Sequence, residues 1–238
     1  MQYRLGVLGG MGPQATNTFY QFVIDRTDAR ADQEHVDALI LSDSGMPDRT
    51  AAILGSEAER QAVYRRLLAD ARLLEGAGCT CIAVPCNTSH FFLDRVQEQI
   101  GIPIIHMIRE TARLLASRGL KRPGILATDG TIRTELYQKE FFAAGIEAAI
   151  PSRPAQELVM SLIYDDIKAG RDGDPQKFAA VHQDLLAQGC DCGVLACTEL
   201  SVFADKHHLP HFYTDAMAVL AERSVEACHK PLRDIFIK

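Results

Sequence analysis

Two blocks of this sequence place thiols where they can do chemistry. "GCTCIAVPCNTSH" begins at Gly78 and "GCDCGVLACTELS" at Gly189, and each reads Gly-Cys-x-Cys, four residues, Cys. Together they hold six of the seven cysteines in 238 residues. In each block an apolar run ("IAVP", "GVLA") gives way to polar residues ("NTSH", "TELS") around the last cysteine, Cys86 or Cys197. That transition marks the carboxyl end of a strand, the edge at which open α/β sheets bind ligands. A helix starting just beyond it points N–H groups and a positive dipole end at the thiol. Its pKa is then expected to fall from ~8.5 toward neutrality. Two such groups suit proton exchange at a carbon that inverts. One thiolate removes the α-proton from one face, the other thiol delivers a proton to the opposite face, and the reverse reaction exchanges the roles.

The other cysteines of the blocks read differently. Side chains alternate along a strand, so Cys79 with Cys81, and Cys190 with Cys192, are expected to share a face and act as small core hydrophobes. A tetrahedral zinc site favours short CxxC spacings, and here a strand splays Cys79 and Cys81 away from Cys86. A redox CxxC is absent from the sequence. No metal site is expected. The odd number of cysteines in a chain of this size points to reduced thiols in a cytoplasm.

The elements that must position these residues follow from the hydrophobic pattern. Strands are expected at Tyr3–Leu8, Val36–Leu41, Thr80–Val84, Ile104–His106, Gly124–Ala127, Ile146–Ala149, Gly193–Ala196 and Phe212–Thr214. Helical patterns lie between most of them, including Gln14–Thr27, Ser56–Glu75 and Lys177–Gln188, with Pro175 near the start of the last. Such alternation implies doubly wound parallel sheets with helices on both faces. The repeat extends past the cysteines. "GVLGGMGPQAT" from Gly6 aligns with "GILATDGTIRT" from Gly124. The chain therefore reads as two similar α/β halves related by a pseudo-twofold, with the active site expected in the cleft between them. Residues 1–102 form the first half, completed by 211–238, and residues 103–210 form the second.

"GGMGPQA" from Gly9 contains Gly10-x-Gly12-x-x-Ala15, which fits a dinucleotide fingerprint, with Asp43 as the ribose carboxylate. The interval to Asp43 exceeds the ~20 residues usual there. The same loop, through Met11 and Gly12, can instead cradle a carboxylate on backbone N–H groups. A nicotinamide oxidoreductase thus stands as the alternative reading, alongside a protein that uses its thiols as metal ligands.

Composition narrows the partners. The net charge is −6 and no basic run occurs, which argues against nucleic acid. No segment approaches the ~20 apolar residues of a membrane span. "MQYRLGVLGG" turns at once into a glycine loop and does not read as a signal peptide.

Taken together, "GGMGP" at Gly9–Pro13, "PCNTSH" at Pro85–His90 and "ACTEL" at Ala196–Leu200 resemble the aspartate/glutamate racemase superfamily, its aspartate racemase branch most. The resemblance spans nearly the whole chain. It implies two α/β domains, no pyridoxal phosphate, and Cys86 and Cys197 as the acid–base pair. It also implies cations for the substrate carboxylates: Arg49 in "MPDRT" and Lys168 in "IYDDIKAG". Asn87, Thr88, Thr128 and Thr198 are then expected hydrogen-bonding partners at strand ends. Thr88, Ser89 and Thr198 can alternatively cap helices. Glu199 can hold the substrate ammonium, tune the Cys197 thiol, or merely complement a helix N-terminus. His90 and His106 read as structural. Some members of the branch carry Thr for the first cysteine; this chain keeps both, which favours two-way racemisation. The expected function is cofactor-independent racemisation of an acidic amino acid, aspartate before glutamate, by a homodimer. Decarboxylases and other isomerases of the superfamily share the fold, so fold alone leaves the reaction open.

Overall fold

The computed structural model describes residues 3–234. The described residues form two compact units, one of residues 3–107 with 218–234, the other of residues 108–217.

The first unit carries a parallel sheet of order β2-β1-β3-β4, from β1 (Leu5–Gly9), β2 (Ala38–Ser42), β3 (Cys81–Ala83) and β4 (Ile104–Ile105). Its helices are α1 (Pro13–Arg26), α2 (Arg49–Leu54), α3 (Glu57–Gly76) and α4 (His90–Gln97). Ser56 and Glu59 close a capping box at the start of α3. Val63, Leu67, Ala71 and Leu74 then fall on one stripe of that helix and are buried. Truncating a fully buried leucine of this kind to alanine typically costs about 2–5 kcal/mol.

Beyond α5 (Met107–Ser117), the second unit carries a parallel sheet of order β5-β6-β7, from β5 (Pro123–Leu126), β6 (Cys192–Leu195) and β7 (Tyr213–Asp215). Its helices are α6 (Asp129–Arg133), α7 (Leu136–Ala143), α8 (Arg153–Ser161), α9 (Pro175–Ala187) and α10 (Thr198–His207). A π-helical turn, Leu162–Ile167, extends α8. The helix α11 (Ala216–Ala227) follows β7.

Three expectations need correction. Ile146–Ala149 forms no strand; it contributes one parallel bridge, Ala149 to Gly124, beside β5. The strand expected at Phe212–Thr214 pairs with β6 in the second sheet, so the chain returns to the first unit only from residue 218, within the helix that follows. The first unit also extends past residue 102, through β4 to 107. Short apolar runs carry no label for the sheet they join, which is why periodicity misplaced them.

The repeated Gly-Cys-x-Cys has a local explanation. Gly78 and Gly189 each sit at positive φ just past a long helix, α3 or α9. Gly78 N–H donates to Glu75 O and Cys79 N–H to Leu74 O; Gly189 N–H donates to Leu186 O and Cys190 N–H to Leu185 O. Both are helix-terminating closures of Schellman type, which need a left-handed residue. The second cysteine of each block then begins a strand, β3 or β6. All four of these cysteines are buried. Cys81 shares a hydrogen bond with Cys228, which follows α11.

Candidate active site

In the first unit the site grows from the loop after β1. Gly10 has φ +88, and a Cβ there would lie 2.3 Å from the main chain of Asp43, so the loop requires glycine. Gly10 N–H donates to Thr16 Oγ1 at 2.8 Å, and the Thr16 hydroxyl donates to Gly12 O at 3.0 Å. The loop is thereby stapled to α1, whose N-cap is Gly12. Arg49 opens α2 behind its capping residue Asp48. Its guanidinium donates to Met11 O at 3.1 Å and to Pro47 O at 2.9 Å. On the other side, the Ser89 hydroxyl donates to the Met11 sulfur at 3.2 Å. Met11 therefore joins Arg49 to the loop after β3, where Cys86, Asn87 and Thr88 are all buried.

That loop departs from expectation in one respect. The helix α4 begins at His90, four residues past Cys86, and Ser89 at its N-cap makes no side-chain capping bond. The first three N–H groups of α4 donate back into the turn, to the carbonyls of Asn87, Thr88 and Ser89.

The dinucleotide reading also fails on geometry. Arg66 takes both carboxylate oxygens of Asp43, and Gly45 N–H donates to Oδ1. The expected ribose ligand is thus committed within the protein. Asp70 lies beside it. Burial first, then the Asp43 carboxylate, pushes the Asp70 carboxyl up to about 6 from 3.8. The folded protein therefore holds this proton more tightly than the unfolded chain. The resulting stability is fully present below the unfolded value and is lost as pH rises through about 6. Asp70→Asn keeps a neutral hydrogen-bonding group there. It should raise the melting temperature at pH 7, with the gain vanishing near pH 4. An equal shift at both pH values in thermal scans would refute this.

In the second unit Cys197 is the N-cap of α10 in an extended conformation. Its thiol donates to Glu199 Oε2 at 2.9 Å, and the Thr198 hydroxyl reaches the same oxygen at 3.4 Å. Glu199 Oε1 stands 4.0 Å from Lys168 Nζ. Lys168 follows the π-helical turn, and its ammonium sits 4.2 Å above the Tyr164 ring. Cys197, Thr198 and Glu199 are buried. Thr128 caps α6, accepting from Thr131 N–H.

The expected lowering of the Cys197 pKa is overturned. Burial first, then the Glu199 charge, pushes the thiol well above its ordinary value. Lys168 and the Glu199 main chain act the other way and are outweighed. A helix N-terminus cannot offset a desolvated sulfur that already donates its proton to a carboxylate. Cys197 is thus a protonated acid whose proton acceptor is in place.

In one unit Arg49 is bonded to Met11 and Met11 to Ser89, on the loop that carries Cys86, Asn87 and Thr88; in the other, Glu199 bonds Cys197 and stands beside Thr198 and Lys168. Tyr164 and Tyr137 escaped the sequence reading. The Tyr164–Lys168 spacing of four residues on a helical segment was the available signal. Tyr137 is fully buried, and burial, Asp215 and Cys197 all raise its hydroxyl. No sequence pattern places it near the thiol. Among the described residues no group of three or more His, Cys, Asp or Glu side chains is arranged to hold a metal ion.

The model of the family described as Asp/Glu/Hydantoin racemase matches residues 8–223. A broad specificity amino-acid racemase of Bacillus subtilis (strain 168) is 27% identical over 225 residues, 93% of this chain and 96% of the relative. The structure of an aspartate racemase from Picrophilus torridus, also 27% identical, matches with a TM-score of 0.81 over 97% of this chain and 96% of that one. A glutamate racemase from Francisella tularensis in complex with D-glutamate shares the fold at 18% identity, with a TM-score of 0.66 over 94% and 80% of the two chains.

Proposed function

From the premise that this chain belongs to the Asp/Glu/hydantoin racemase family, we propose that it interconverts the enantiomers of an acidic amino acid, aspartate first and glutamate second, by two-thiol proton transfer without a cofactor. That it is an amino-acid racemase follows from the family and from its relatives. The observation that carries the finer reading is the Cys197–Glu199 hydrogen bond. A buried thiol with a carboxylate 2.9 Å away is a resting acid whose proton has a defined destination.

The roles follow. Cys86 and Cys197 act on opposite faces of the α-carbon. When Cys197 is the acid, its proton goes to the carbanion. When it is the base, Glu199 first takes the thiol proton and the thiolate then removes the α-proton. Lys168 and Arg49 hold the carboxylates, with the Met11 and Gly12 main chain, Asn87, Thr88, Thr128 and Thr198 as hydrogen-bonding partners. The positions of Met11, Gly12, Asn87, Thr88, Thr128 and Thr198 in the loops just past strands β1, β3, β5 and β6 support that assignment.

The seven thiols are all free of disulfides, which supports a reducing, cytoplasmic setting. Among the described residues no helix is long and apolar enough to cross a membrane. The edge strand β2 exposes Leu39 and Ile40, which supports a homodimer and is checked by light scattering.

The test is incubation with each enantiomer of the common amino acids in D₂O, following loss of the α-proton by NMR. Aspartate should exchange and invert fastest. Activity should survive dialysis against chelator and treatment with a carbonyl reagent. Loss of activity restored by zinc would overturn the reading, as would exchange confined to neutral amino acids.

A further inference from the structure

His90 is buried, with 3% of its surface exposed, and the sequence offered it no role beyond structure. Its two ring nitrogens have partners of opposite and fixed character. Nδ1 lies 2.9 Å from the carbonyl oxygen of Cys86. Nε2 lies 3.1 Å from the backbone nitrogen of Met107, the first residue of α5. A carbonyl can only accept and a backbone N–H can only donate. Assigned from this network, the ring is neutral and carries its hydrogen on Nδ1. The opposite tautomer would set two acceptors face to face at Cys86 and two donors at Met107.

The loop explains why the side chain is needed. In a regular helix the Cys86 carbonyl would accept from the backbone N–H of His90. That N–H instead donates to Asn87 O at 3.0 Å, and the next two donate to Thr88 O and Ser89 O. The tight turn after β3 thus withdraws the usual donor from the Cys86 carbonyl, in a buried site where a carbonyl left without a donor is costly. The imidazole supplies the missing donor. On the far side of the ring, the Met107 N–H at the start of α5 donates to Nε2. His106 packs edge-on at 4.8 Å between ring centroids and helps hold the ring plane.

We infer that His90 is a positioning residue for Cys86: in its neutral Nδ1–H form it fixes the Cys86 carbonyl and thereby aims the thiol at the substrate α-carbon. This rests on the reading of Cys86 as a proton-transfer group. Positioning errors near 1 Å can cost about 10²-fold in rate, so the effect falls on kcat more than on KM.

Two substitutions separate this from general support of the fold. His90→Asn keeps an amide N–H near the Nδ1 position and loses the acceptor for Met107. His90→Gln places its amide near the Nε2 position, keeping an acceptor for Met107 and losing the donor to Cys86. His90→Asn should retain kcat within about fivefold, whereas His90→Gln should lose about 10²-fold in kcat with KM little changed. The opposite ranking, or losses in both that merely follow the melting temperature, would overturn the inference. Should neither variant fold, ¹⁵N NMR of the histidine rings in the wild-type protein decides. A protonated Nδ1 with a bare Nε2 is expected at pH 7, and the other tautomer or an imidazolium would overturn it. Cys86→Ala separates the two layers. If that variant is inactive while His90→Gln is fully active, the positioning role falls alone. If Cys86→Ala still racemises, the two-thiol reading falls and takes the His90 role with it.

Discussion

Cys86→Ala and Cys197→Ala should each lose racemisation by about 10²–10⁴-fold, the range of a positioned acid or base. Inversion needs a proton acceptor on one face of the α-carbon and a donor on the other, so either deletion breaks the cycle. The remaining thiol can still exchange the α-proton that faces it. In D₂O, Cys86→Ala should therefore wash deuterium into one enantiomer without inverting it, and Cys197→Ala into the other. Cys79→Ala and Cys190→Ala serve as controls. These buried thiols sit beside helix-terminating turns, and their loss should cost about 1 kcal/mol of stability with kcat near wild type. Full racemase activity in Cys197→Ala, or identical exchange patterns in the two catalytic variants, would end the two-thiol reading. The equilibrium constant between enantiomers is one, so a variant cannot favour one direction in kcat/KM. A directional effect appears only as paired changes in kcat and KM.

Much of this site was legible before the fold was known, because its signals are local. Cys86 and Cys197 announce themselves through an apolar run that turns polar, which is a property of adjacent residues. The pairing of Gly78 with Cys79, and of Gly189 with Cys190, repeats because two helices end by the same closure. What stayed hidden depends on three-dimensional company. The lowered thiol pKa followed from the helix dipole alone. The structure adds a desolvated sulfur and the Glu199 carboxylate, and these dominate. Asp43 looked available for a ribose until Arg66, from the middle of α3, took both its oxygens. The strand after Leu209 could join either sheet by its pattern, and only its ladder with β6 decides. His90 looked inert because the Cys86 carbonyl and the Met107 N–H that its ring meets are main-chain groups, which leave no mark in a sequence.

The second large effect concerns substrate charge. An acidic amino acid enters as a net anion, and the protein itself carries a net charge of −6, so binding rests on a few local cations. Arg49 and Lys168 are differently prepared for this. The Arg49 guanidinium is held by the main-chain carbonyls of Met11 and Pro47, which preorganises its planar fork for the carboxylate it is proposed to bind. Lys168 is a point charge poised between the Tyr164 ring and the Glu199 carboxylate. A charge-assisted hydrogen bond contributes about 1.5–3 kcal/mol, so removing either cation should lower kcat/KM for aspartate by roughly ten- to more than a hundredfold. Lys168→Met is the cleaner substitution, since it keeps most of the stem and removes the charge. It also withdraws from Cys197 the cation that opposes the rise of its pKa. Its pH–rate profile should therefore shift to higher pH, whereas that of Arg49→Leu should not. Neutralising the cation that meets the distal carboxylate should shift preference from aspartate toward asparagine. If Lys168→Met and Arg49→Leu both leave kcat/KM for aspartate within about twofold of wild type, the acidic-substrate assignment is wrong, even with Cys86 and Cys197 proved essential.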